Sequence, residues 1–112
     1  MSEGIEVRVL EKLADIIEEV KNGLDPDLLA YWYDFIVERA KESCPDNLKE
    51  TISVERDPIL TLKFHIKASR RAVPYLIDVI EEHLPQMPFA TRLYFQKVEE
   101  IIEQEAAKFD NR

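Results

Sequence analysis

A single cysteine, Cys44, stands in a chain of 112 residues. One thiol excludes an internal disulfide and any zinc site built on several cysteines. Small chains of oxidising compartments usually carry paired cysteines, so an intracellular, cytoplasmic setting is expected. Glycine is scarce too, with only Gly4 and Gly23. Loops that cradle nucleotide phosphates need closely spaced glycines to bring backbone amides onto the anion, so P-loop and dinucleotide fingerprints are absent. No apolar run approaches the roughly 20 residues that span a bilayer. Residues 1–10 alternate charged and apolar side chains, unlike a secretory leader, and residues 108–112 hold no cysteine for prenylation. No membrane association is expected. Positive charge is in deficit, with 15 Lys and Arg against 23 Asp and Glu for a net −8. That balance disfavours general nucleic-acid binding, which needs a cationic face toward phosphate.

What is present suffices for a core. Hydrophobic residues make up 46% of the chain, which excludes wholesale disorder and suits one domain over residues 1–112. Val9, Leu10, Leu13, Ile16, Ile17 and Val20 recur at helical spacing and predict a first helix over residues 6–22. Gly23 then stands where a left-handed cap is wanted. A second helix should begin at Pro26, with Asp25 as its cap and Asp27 complementing the helix dipole. It should end at Ser43, before Pro45, and bury Leu28, Leu29, Trp32, Phe35, Ile36 and Ala40.

The period then shortens to two. Leu60, Leu62, Phe64 and Ile66 alternate with Thr61, Lys63, His65 and Lys67, and Asp57-Pro58 supplies a turn. A β-hairpin over residues 51–67 follows. Ser69 is a candidate cap for a third helix reaching Leu84, although Pro74 allows a start at Val73 or Pro74. Its stripe is Val73, Leu76, Ile77, Ile80 and Leu84. A last helix over residues 90–108 should turn Tyr94, Val98, Ile101, Ile102 and Ala106 inward. The expected fold is α+β, with four helices around a central β-hairpin in the order α-α-β-β-α-α. A lone hairpin is marginal in water, so helices or strands from a second subunit must complete it. That makes a homodimer an open expectation.

Charge placement is the least random feature. Residues 59–77 contain Lys63, Lys67, Arg70 and Arg71 and no acid, so the rest of the chain carries −12. Lys63, His65 and Lys67 share one strand face, and Ser69, Arg70 and Arg71 follow at the mouth of a helix. Guanidinium groups and free amides converging there suit an anion or an acidic partner surface. The plainer alternative is that the stripe neutralises the chain's own acidic helices. Glu99 and Glu103, four apart on the last helix, repel one another and call for some cation.

Other chemistries find little support. Asp78 with Glu81, and Glu100 with Glu103, have helical i,i+3 spacing, but the Glu-x-x-His of a di-iron bundle is absent, and no metal or other cofactor is expected. Cys44 shows no accompanying base and reads as a small packing residue. His65 and His83 read as surface residues, and no catalytic residue is assigned. Tyr31, Trp32 and Tyr33 are consecutive on a helix and cannot all face one core, so they are candidate interface anchors. The sequence thus reads as a small, acidic, non-catalytic interaction protein: a regulatory, adaptor or assembly subunit that self-associates or docks a protein partner. The alternative is a binder or enzyme for a small phosphate or carboxylate metabolite, held by Lys63, His65, Lys67, Ser69, Arg70 and Arg71.

Overall fold

The computed structural model describes residues 4–8, 23–56 and 64–110. Strand β1 is Gly4–Arg8, helix α1 Pro26–Ser43, short helix α2 Asp46–Lys49, strand β2 Ser53–Arg56 and strand β3 Phe64–Ser69. A single 3-10 turn, Arg70–Ala72, leads into α3, Val73–His83, and a second, Leu84–Gln86, precedes α4, Phe89–Asp110. The class is α+β. From Pro26 onward the described elements follow the expected order, with the short α2 added.

Helix α1 is built by the residues that announced it. Asp25 Oδ1 accepts from the amides of Asp27 at 2.9 Å and Leu28 at 3.4 Å, and Pro26 opens the helix. These are donors that the first turn would otherwise leave unpaired. The buried face is Leu29, Trp32, Tyr33, Ile36, Val37 and Ala40, with Leu28 and Phe35 half-buried at its margin. The face is thus turned toward Tyr33 and Val37 relative to the expected stripe, because α1 packs on both α3 and β2.

The sheet has three antiparallel strands among the described residues, in the order β1-β3-β2. Strand β2 pairs with β3 as the expected hairpin, Val54 opposite Ile66 and Glu55 opposite His65; its connection, residues 57–63, lies outside the described residues. Strand β1 is a correction. Residues 6–8, expected to begin the first helix, pair instead with β3, Ile5 opposite Ala68 and Val7 opposite Ile66. Gly4–Arg8 alternates apolar and charged residues, a pattern that fits a strand over so short a stretch, and the ladder offered by β3 selects it. The remainder of the expected first helix, residues 9–22, lies outside the described residues. The chain's own β1 therefore supplies a third strand to a hairpin expected to be completed by helices or by strands from a second subunit.

Gly23 also departs from expectation. No described glycine has positive φ, so it is not a left-handed cap. A Cβ there would lie 3.1 Å from the Ala90 Cβ, so Gly23 permits close approach of the chain before α1 to the start of α4. Ser69 does act as a cap, its Oγ accepting from the Arg71 amide at 3.3 Å, but the turn it caps is the 3-10 turn, and the α-helix begins at Val73 with Pro74 in its first turn.

Helices α1 and α4 pack on β2 and β1 respectively, and α3 packs against both helices. Phe64, Ile66 and Ala68 of β3 face this helical layer and are buried. At its centre Tyr33 meets Phe64 at 4.3 Å and Phe95 at 5.0 Å between ring centroids. The Tyr33 and Tyr94 hydroxyls share a hydrogen bond of 2.6 Å. Burial, the largest effect on each, pushes both phenols up, so they remain neutral partners. Full burial of such large side chains supplies roughly 1.5–3 kcal/mol apiece. An apolar void beside them, lined by residues including Val54, Ile66 and Val98, has room for about one water-sized sphere and is not a ligand pocket.

Candidate functional site

The cationic stripe is positioned by β3 and the turn after it. Because Phe64, Ile66 and Ala68 point into the core, His65 and Lys67 take the opposite face of the strand. Lys67 and Arg71 are exposed, whereas His65, Ser69 and Arg70 are half-buried; Lys63 lies outside the described residues. Lys67 has no ion-pair partner among the described residues. His65, Arg70 and Arg71 are each engaged in contacts within the chain. Acidic positions adjoin the stripe: Glu55 is in register with His65, and Glu6 with Lys67.

Two hydrogen bonds fix the end of the stripe. Thr51 Oγ1 donates to the Leu48 carbonyl at 2.7 Å and accepts from the Ser69 amide at 3.2 Å. Ser69 Oγ in turn holds the Arg71 amide. The Ser69 and Arg71 amides at this strand-to-helix junction are thus already paired inside the protein. What the stripe leaves exposed is the side chains of Lys67 and Arg71.

The acidic counterpart is a cluster that chain order conceals. Glu81 on α3 meets Glu99 and Glu103 on α4, with one carboxylate oxygen from each within 4.8 Å of the others. The i,i+4 pair was legible in the sequence, but the third member required the packing of α3 on α4. Partial burial, then a hydrogen bond and repulsion from Glu81, then repulsion from Glu103, raise Glu99 to about 8. Glu99 therefore carries a proton toward Glu81 at neutral pH. All-oxygen donor sets of this kind suit hard divalent cations, and a shared proton relieves the same repulsion. No Lys or Arg among the described residues pairs with the three carboxylates. The stripe and the cluster occupy opposite ends of α3: Val73 and Glu81 are separated by about 12 Å of helix rise.

The aromatic candidates separate sharply. Tyr31 is 57% exposed, while Trp32 and Tyr33 are buried, so of the three only Tyr31 lies at the surface. Tyr31 stacks on Phe35 at 6.2 Å, and the Arg39 guanidinium lies 5.5 Å over the Phe35 ring. Phe89 is 70% exposed, whereas Tyr94 and Phe95 are core residues.

His83 is a correction. Expected at the surface, it is buried: its Nδ1 lies 2.9 Å from the Val79 carbonyl, and its ring packs 4.8 Å from Phe35 and 6.2 Å from Trp32. The inward stripe of α3 includes Val79 and His83 because α3 is covered by both α1 and α4, while Ile77 and Leu84 are only half-buried. Cys44 is buried, with Sγ 3.6 Å from the Lys41 carbonyl rather than against a base. No helix among the described residues is long and apolar enough to cross a membrane. No protein-family model, no curated protein and no solved structure matches this chain.

Proposed function

We propose that this chain is a small, non-catalytic interaction protein of the cytoplasm, acting as a regulatory or assembly subunit. Its docking surface is the cationic end of β3, and its first partner is a second copy of itself. The observation that carries this reading is charge that finds no ion-pair counterpart among the described residues. Lys67 is exposed without an ion pair among the described residues, and at the other end of α3 no Lys or Arg among the described residues pairs with the Glu81, Glu99 and Glu103 carboxylates. Two copies joined head to tail bring the two surfaces together. Complementarity of this kind sets encounter rate and partner choice more than raw affinity. Tyr31, exposed on α1, is the aromatic side chain available to anchor such a contact. Binding of a small phosphate or carboxylate is less favoured, because the Arg71 amide is already held by Ser69.

Sedimentation equilibrium tests the reading. Wild-type protein should self-associate at low salt and dissociate as salt rises from about 0.1 M to about 1 M, which shortens the Debye length from roughly 10 Å to 3 Å. A Lys67→Ala, Arg71→Ala variant and a Glu81→Gln, Glu99→Gln, Glu103→Gln variant should each be monomeric. Mixed together, they should form a one-to-one dimer that grows no further, since each retains one intact surface. A wild type that stays monomeric, or variants that fail to complement, would overturn self-association. In that event, Lys67-dependent binding of an acidic peptide would still support docking of a different partner. A rise in melting temperature with inorganic phosphate, lost in the Lys67→Ala, Arg71→Ala variant, would favour the small-anion alternative.

A further inference from the structure

We draw no further inference here: the strongest candidate, the Glu81, Glu99 and Glu103 carboxylate cluster between α3 and α4 taken as a divalent-cation site, carries nothing because it is a group of acidic side chains with no second feature of the structure that points to a bound ion.

Discussion

Replacing Glu99 with glutamine isolates the electrostatic conflict between α3 and α4. In the folded protein Glu99 holds its proton up to about pH 8, whereas in the unfolded chain it releases it near 4.5. The folded state thus binds the extra proton between those values. The stabilisation this confers is complete below about pH 4.5 and is lost as pH rises through about 8. Water reaches the half-buried Glu99, so the repulsion is worth a surface-pair energy and not that of a buried ion. Two like-charge neighbours, Glu81 and Glu103, at roughly 0.2–0.5 kcal/mol each give about 0.4–1 kcal/mol. A glutamine amide can donate to Glu81 as the protonated carboxyl does, and it cannot ionise. Glu99→Gln should therefore match wild type below about pH 4.5, pull ahead of it progressively as pH rises, and exceed it by about 0.4–1 kcal/mol above about pH 8, a melting-temperature gain of up to about 4 °C for a domain of this size. Thermal unfolding followed by circular dichroism across this range reads the difference, which added salt should shrink. Parallel pH profiles for the two proteins between about pH 5 and 9 would refute the reasoning.

Tyr33→Phe and Tyr94→Phe should each cost about 1–3 kcal/mol in urea unfolding, because each strands the other hydroxyl in the core. The double variant should cost less than the two losses added together, and simple additivity would show that the hydroxyls do not act as a pair. Asp25→Ala should lose about 1 kcal/mol of stability through the α1 cap, while Asp25→Ser should restore most of it. Cys44 should react with a thiol reagent only as fast as the protein opens, so rapid labelling under native conditions would contradict its burial.

Local chemistry made much of this fold legible. Asp25, Pro26 and Pro45 delimit α1 through capping and a missing amide donor, effects that act within a few residues. The alternation from Phe64 to Lys67 determined both the strand and the face bearing His65 and Lys67, since successive side chains must point to opposite sides. Acidity and the island of cations between residues 59 and 77 are likewise properties of the sequence itself.

Contacts distant in the chain decided the rest. Residues 6–8 became strand because β3 offered a ladder more than fifty residues away in sequence. Gly23 answers to Ala90 and not to its own helix end. His83 went inward because α1 supplies Trp32 and Phe35 as its walls, which no pattern within α3 reveals. The carboxylate cluster exists only because α3 packs on α4 and carries Glu81 to Glu99 and Glu103. Periodicity and capping are short-range and written along the chain, whereas register, close approach and shared titration arise between segments, and only the folded packing brings those segments together.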